Sequence, residues 1–400
     1  MDIAPQFEPS RTVVLQVVPA LGGGGVERGT VEMAEAIVRA GGVALVASQG
    51  GRLARLVEAV GGRNIPLPLA TKNPLGVWRN ASRLAELIER EHVDLVHARS
   101  RAPAWSAWLA TQRTGVPLVT TYHGTYGEEL PGKRRYNSVM ARGERVIVIS
   151  RFVATLVMRQ HRIDPARLRV IYRGVDPAVF DPNAVSGERV QRLAEAWHLP
   201  EGRPLVMLPG RLTRWKGQEV LIEALARMSR RDVVGVFVGA EQGRTRYARS
   251  LLALAAERGV SIRLVGDCED MPAALVLADV VVNASTKPEG FGRVVIEAQA
   301  MGRPVIATDP GGAVETVEHG STGWRVPPRD PGSLAAFLDH VLACSPERLA
   351  ALGARARASV QAHYTVANMQ AATLDVYREV LEEHAHKRAM GEITASVVAA

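Results

Sequence analysis

The chain has almost no cysteine, few aromatic residues and no apolar run long enough to cross a bilayer. Cys268 and Cys344 are the only thiols. Neither stands in a spacing used for metal binding or redox exchange, so a disulfide scaffold is excluded and a reducing, cytoplasmic setting is expected. Aromatics are 5% of the residues, and none interleave with the basic cluster, which argues against a nucleic-acid partner. Met1-Asp2-Ile3-Ala4-Pro5 lacks the basic-then-apolar pattern of a leader, and a soluble protein is expected. Gly-Lys-Ser/Thr is absent, which removes a P-loop. The glycines Gly22–Gly25 are followed by Arg28 rather than by the last glycine of a dinucleotide fingerprint. Ser48-Gln49-Gly50 also offers no acid for a ribose, which argues against a nicotinamide oxidoreductase. No Ser-His-Asp, Cys-His or Asp-x-Asp arrangement stands out. Neither hydrolase chemistry nor a metal or other cofactor is expected.

What remains is a well-packed chain of two domains. Four hundred residues, 47% hydrophobic and 22% charged, exceed one ordinary core. Apolar strands alternate with amphipathic helices, the pattern of parallel α/β sheets. Strands are expected at Thr12–Val18, Val43–Ala47, Val93–Val96, Leu118–Thr121 and Arg145–Ile149. Asp176-Pro177, Asp181-Pro182-Asn183 and Ser186-Gly187 mark a linker. The pattern then restarts with strands at Leu205–Leu208, Val233–Val238, Ile262–Val265, Val280–Asn283 and Pro304–Ala307. From about Pro346 the chain reads as helical to about Arg388, with Ala389–Ala400 as a loose tail. Two doubly wound domains follow, 1–185 and 186–362, with a last helix over 363–388. In such sheets a ligand lies beyond the carboxyl ends of the strands, and a cleft between the domains is the expected place.

The net charge of +8 is lopsided. Residues 1–190 hold 25 Lys+Arg against 17 Asp+Glu, and the remainder balances. A local cluster at Lys133, Arg134, Arg135, Arg142 and Arg145 suggests an anionic partner such as the inner leaflet of a membrane, with peripheral attachment.

The most informative stretch runs from Lys287 to Glu297. Glu289 and Glu297 stand eight residues apart, separated by Gly290-Phe291-Gly292-Arg293 and followed by a helical pattern. The glycines let backbone approach a ligand, and the helix start presents unpaired N–H groups to a phosphate. Two acids can hold a polyol at two places, which suits a nucleotide sugar. Arg211 and Lys216, in Gly210-Arg211-Leu212-Thr213-Arg214-Trp215-Lys216-Gly217, follow the first strand of the second domain. Two cations there suit a diphosphate leaving group. His123 ends a first-domain strand beside Gly124, and His97 reads as a satisfied core histidine. Asp267-Cys268-Glu269-Asp270 reads as a helix start, where negative charge is favoured.

Taken together, these residues resemble the retaining glycosyltransferases of family 4, with the GT-B architecture of two Rossmann-like domains. The match runs through Gly24-Gly25-Val26-Glu27-Arg28, His123-Gly124, Gly174-Val175-Asp176, Gly210-Arg211 with Lys216-Gly217, and Glu289 to Glu297. The resemblance implies that Gly24 and Gly25 face the donor phosphates and that Arg211 and Lys216 bind the diphosphate. It assigns a sugar hydroxyl to Glu289 and the ribose to Glu297. The backbone of Gly290, Phe291, Gly292 and Arg293 would meet sugar and phosphate, with the base near Gly266-Asp267 and His123 against the donor sugar. It further implies a UDP- or GDP-sugar donor, a glycan or glycolipid acceptor of the lipopolysaccharide-core type, and a last helix that returns to the first domain. A nucleotide-sugar epimerase and a non-catalytic anionic-lipid-binding protein are the alternatives. Two positions depart from the family pattern. Tyr172-Arg173 precedes Gly174 where an Asn is common, and Arg293 stands where the residue is often aliphatic.

Overall fold

The structure is a computed structural model that describes residues 12–127, 131–241, 243–309 and 311–399. It divides into two compact units, Met1–Tyr172 with Ala367–Ala400, and Arg173–Val366. Among the described residues no helix is long and apolar enough to cross a membrane.

The first unit is built on seven parallel strands: β1 (Val13–Val17), β2 (Val43–Ser48), β3 (Arg63–Pro66), β4 (Leu95–Ala98), β5 (Leu118–Tyr122), β6 (Arg145–Val148) and β7 (Leu168–Val170). Their order is β3-β2-β1-β4-β5-β6-β7. β1 is the pivot: Val14 pairs with Ala44 on one side and Leu95 on the other. Central strands read Val-Val-Leu-Gln-Val and Leu-Val-Thr-Thr-Tyr with almost every position buried. Helices therefore cover both faces, as a parallel sheet requires. The second unit repeats the plan with β8 (Leu205–Pro209), β9 (Val234–Val238), β10 (Ser261–Gly266), β11 (Val280–Asn283), β12 (Val305–Thr308) and β13 (Trp324–Val326), ordered β10-β9-β8-β11-β12-β13. In each sheet the strand order reverses once, between β1 and β4 and between β8 and β11. A doubly wound fold offers a ligand crevice at such a reversal.

Three strands escaped the sequence reading, namely β3, β7 and β13, and all three are sheet edges. Arg-Asn-Ile-Pro and Leu-Arg-Val are short and half polar because an edge strand buries less. β4 begins two residues later than expected, because the Asp94 carboxylate accepts from the Val13 N–H at 2.7 Å and ends the preceding turn.

The last helix, Val366–Ala399, continues through the segment expected to be a loose tail. No proline interrupts that segment. From Ala367 onward it belongs to the first unit, as the GT-B resemblance implies. Tyr377 is fully buried there, and its hydroxyl lies 2.6 Å from His97 Nδ1, while His97 Nε2 lies 2.6 Å from Thr121 Oγ1. His97 is thus the satisfied core histidine the sequence suggested. Gln370 Nε2 donates to the Glu32 carbonyl at 2.7 Å. Arg145 pairs with Glu379 at 2.8 Å and with Glu383, and Arg169 also pairs with Glu379.

These pairs correct the expected basic cluster. Arg145 is spent inside the unit, where two carboxylates neutralise it. Arg142 stacks its guanidinium on Trp108, 4.1 Å from the ring centroid. Only Lys133, Arg134 and Arg135 remain together on one short helix, Lys133–Asn137.

Replacing Tyr377 by Phe removes one hydroxyl and the buried hydrogen bond it makes with His97 Nδ1. We expect a loss of about 0.5–1.5 kcal/mol, the net worth of one buried hydrogen bond, read as a lower urea midpoint. An unchanged midpoint would mean that the hydroxyl contributes nothing to docking the helix.

Candidate active site

In the second unit Lys216 and Glu289, seventy-three positions apart, form one ion pair. β8 ends at Pro209, and Gly210 donates its N–H to the Val238 carbonyl at 2.7 Å, joining the ends of β8 and β9. A short turn, Arg214–Lys216, then leads into the helix Gln218–Arg227 through Gly217. Gly217 has φ +77°, and a Cβ there would lie 1.9 Å from the Ala284 carbonyl oxygen. Only glycine permits this approach. It brings the turn against the end of β11, where the Thr286 N–H donates to the Trp215 carbonyl at 2.7 Å. The ammonium of Lys216 reaches Glu289 Oε1 at 2.5 Å.

The other carboxylate oxygen of Glu289 accepts from Asn283 Nδ2 at 2.8 Å and Ser285 Oγ at 3.0 Å. Burial alone would push this carboxyl up. The Lys216 charge and the hydrogen bonds from Lys216, Asn283 and Ser285 outweigh burial and hold it below the usual glutamate range. Asn283 and Ser285 were missed in the sequence. Their only signal is their place at and just beyond the last residue of β11, on the carboxyl edge of the sheet.

Downstream of Glu289 the backbone is clamped. The Gly312 N–H donates to the Glu289 carbonyl at 2.8 Å, and a Cβ on Gly312 would meet Phe291 Cα at 2.3 Å. The Phe291 ring is buried, edge-on to Tyr364 with centroids 5.8 Å apart. Gly292, with φ +83°, caps the helix Arg293–Ala300. This anchoring leaves backbone rather than side chain to face a ligand at the helix start. Glu297 lies within that helix, where Arg293 Nε stands 3.4 Å from its carboxylate. The unusual arginine therefore belongs with the second acid of the motif.

Arg211 is exposed, and its carbonyl accepts from Gln218 Nε2 at 3.0 Å. Gly266 ends β10 and its carbonyl accepts from the Gly239 N–H at 2.7 Å, with Asp267 exposed beside it. Asp270 caps the helix Met271–Leu277 and pairs with Arg189 at 2.7 Å, so the acidic run does start a helix.

In the first unit, Gly24 caps the helix Gly25–Arg39. Arg52 lies over this loop: its Nε donates to the Gly22 carbonyl at 2.9 Å, and a Cβ on Gly23 would be 2.2 Å from the guanidinium. Nothing in the spacing pointed to Arg52. His123 is half-buried just past β5, next to Gly124, and a backbone hydrogen bond joins it to Tyr126.

Two parallel, doubly wound sheets, one carrying a Lys–Glu pair ahead of a glycine-capped helix, define the GT-B class of glycosyltransferase. Residues 23–179 match the model described as Glycosyltransferase Family 4, and residues 190–359 the model described as Glycosyl transferases group 1. A glycosyltransferase from Rickettsia africae superposes with a TM-score of 0.86 at 35% identity, covering 93% of this chain and 99% of that one. The chain belongs to glycosyltransferase family 4. It is also 34% identical over 277 residues to the D-inositol 3-phosphate glycosyltransferase of Salinispora arenicola. That alignment spans 63% of this chain and 61% of the relative. Anabaena Alr3699/HepE, solved with UDP-glucose, shares the fold with a TM-score of 0.81 at 24% identity, over 92% of this chain and 100% of its own.

The Lys216–Glu289 pair yields a pH prediction. Glu289 has a folded pKa below its unfolded value. Its contribution is therefore full above the ordinary glutamate range and is lost as pH falls through the lowered value. In Lys216→Ala burial is opposed only by Asn283 and Ser285, so the carboxyl titrates higher. The stability gap between variant and wild type then widens from acid toward neutral pH. Thermal melts from pH 3 to 7 read this directly, and parallel profiles would refute the coupling.

Proposed function

We propose that this protein is a retaining glycosyltransferase that moves a hexose from a UDP- or GDP-sugar to a glycan or glycolipid hydroxyl, as in building a lipopolysaccharide core. The observation that carries the reading is the Lys216–Glu289 pair at the β8/β11 reversal, set before a helix whose first turn is capped by glycine. In this reading the diphosphate lies against the N–H groups of that helix, the place where a helix dipole favours negative charge. Lys216 and Arg211 take up the charge that grows on the leaving phosphate, without a metal ion. Glu289, kept ionised by Lys216, accepts from a hydroxyl of the transferred sugar. Glu297 holds the ribose, and Arg293 orients its carboxylate. Gly24 and Gly25 approach the donor phosphates, Gly266-Asp267 flank the base, and His123 meets the donor sugar.

The bond to the diphosphate breaks with oxocarbenium character and the acceptor hydroxyl attacks from the same face. Its proton passes to the leaving phosphate oxygen. Glu289 is engaged by three donors, which ill suits a covalent nucleophile of the glycosidase kind. A phosphorylated polyol, the acceptor in the name of the Salinispora relative, is the second acceptor reading. Peripheral contact with an anionic leaflet through Lys133, Arg134, Arg135 and Arg142 belongs to the same proposal, with Arg145 withdrawn from it.

Arg211→Ala and Lys216→Ala are each expected to lower turnover by roughly 100-fold or more, the scale of losing one preorganised charge partner. NMR of the first product should show the anomeric configuration of the donor. Inversion would overturn the retaining mechanism. Conversion of the donor to an isomer without acceptor would make the protein an epimerase.

A further inference from the structure

Arginines along the edges of the first unit are matched with acids. Arg63 pairs with Glu91 at 2.7 Å, and Arg145 and Arg169 with Glu379. Two arginines at the carboxyl end of β4 are not. Arg99 and Arg101 lie one and three residues past the strand; neither makes an ion pair among the described residues, although the charge of Glu32 acts on Arg99 from a distance. Arg99 is 2% exposed, and its Nη1 finds only the amide oxygen of Gln16, at 3.3 Å. Its Nε has no hydrogen-bond partner among the described residues. A buried guanidinium with an unmet donor is costly, and here it holds positive charge behind the sheet edge.

Arg101 stands in front of it, half-buried. Its Nη1 donates to Asn137 Oδ1 at 2.9 Å, and its guanidinium lies 4.1 Å from the centroid of the Tyr126 ring. Neither contact cancels its charge. The Arg101 charge also acts on the Tyr136 hydroxyl. That hydroxyl is buried and has no hydrogen-bond partner among the described residues. Tyr136 is nevertheless held in place, because Trp105 Nε1 donates to its carbonyl at 3.0 Å. The Tyr126 hydroxyl in turn is hydrogen-bonded to the backbone of His123. The Arg101 guanidinium, held by Asn137 and Tyr126, thus stands beside a fixed O–H donor that lacks an acceptor, while the neighbours of the buried Arg99 are Gln16, Glu32 and Tyr377. Arg101 and the Tyr136 hydroxyl both donate.

We propose that Arg101 and Tyr136 form a binding site for an anionic group, phosphate or carboxylate, carried by the acceptor sugar. An oxyanion would accept from the Arg101 fork and the Tyr136 hydroxyl together, and would balance the charge of Arg101. The site rests on the glycosyltransferase reading for the word acceptor, because the donor diphosphate is assigned to Lys216 in the other unit. The chemistry of the cluster stands without that reading.

The test titrates the full-length protein calorimetrically with glucose 6-phosphate, glucuronate and glucose, alike in ring and different in charge. Either anionic sugar should bind at least roughly tenfold tighter than glucose. Tyr136→Phe and Arg101→Gln should each weaken that binding about 10- to 100-fold, the range of one charge-assisted hydrogen bond. Glucose binding should stay the same. Tightening by the phosphate alone assigns a phosphorylated acceptor, and tightening by glucuronate assigns an acidic sugar. Tyr136→Phe removes only a hydroxyl without a partner, so the fold is kept and melting should not fall. Equal affinities for charged and neutral sugars, or variants indistinguishable from wild type, would overturn the site. A parallel titration of wild type with UDP- and GDP-sugars separates the two readings: no donor binding sinks the transferase reading, whereas donor binding without charge discrimination sinks only the anion site.

Discussion

The second unit is organised around one short ion pair. Lys216 and Glu289 come from loops after two strands that adjoin in the sheet but are far apart in sequence, and they meet because Gly217 lets one loop settle on the other. Burial alone would push the Glu289 carboxyl up, and the Lys216 charge outweighs it and keeps the acid ionised. Asn283 and Ser285 complete the arrangement by filling the remaining oxygen of Glu289. The unit therefore holds a ready cation and a ready hydrogen-bond acceptor side by side, at the sheet position where doubly wound folds receive ligands. Phe291 and Gly312 do the complementary work on the backbone, pinning the strand-to-helix connection so that the helix start has a fixed direction.

The same division of labour appears in the first unit. There Glu379, on the last helix, serves two arginines at once. The carboxyl ends of β4 and β5 are left with guanidinium groups and hydroxyls. Surface ion pairs of this kind add little each, but their placement decides which side of the sheet stays positive.

Much of this was legible beforehand. Buried parallel strands announce themselves as apolar runs, so the central strands of both sheets were found, while β3 and β7 were lost because an edge strand buries too little to leave a pattern, and β13 because its buried Trp324 and Val326 flank an arginine in a run of only three residues. Glu289, Lys216 and the glycines around them were visible because their chemistry depends on local spacing. Asn283, Ser285 and Arg52 were not, because they act across the fold. Arg145 shows the opposite error: beside Arg142 in sequence it reads as part of a basic surface, yet β6 points it at Glu379, more than two hundred residues away. Sequence proximity says little about where a long side chain ends.

The last helix has a consequence for how the molecule comes into being. Residues 12–172 contain all seven strands of their sheet, yet the partner of His97 is Tyr377, which leaves the ribosome only after the whole second unit has been made. Until then His97, in the middle of the nascent sheet, lacks the Tyr377 hydroxyl at its Nδ1, and Arg145 and Arg169 await Glu379 and Glu383. The first half to be synthesised is the last to be completed, so the second unit can be mature while the first still waits for its closing segment.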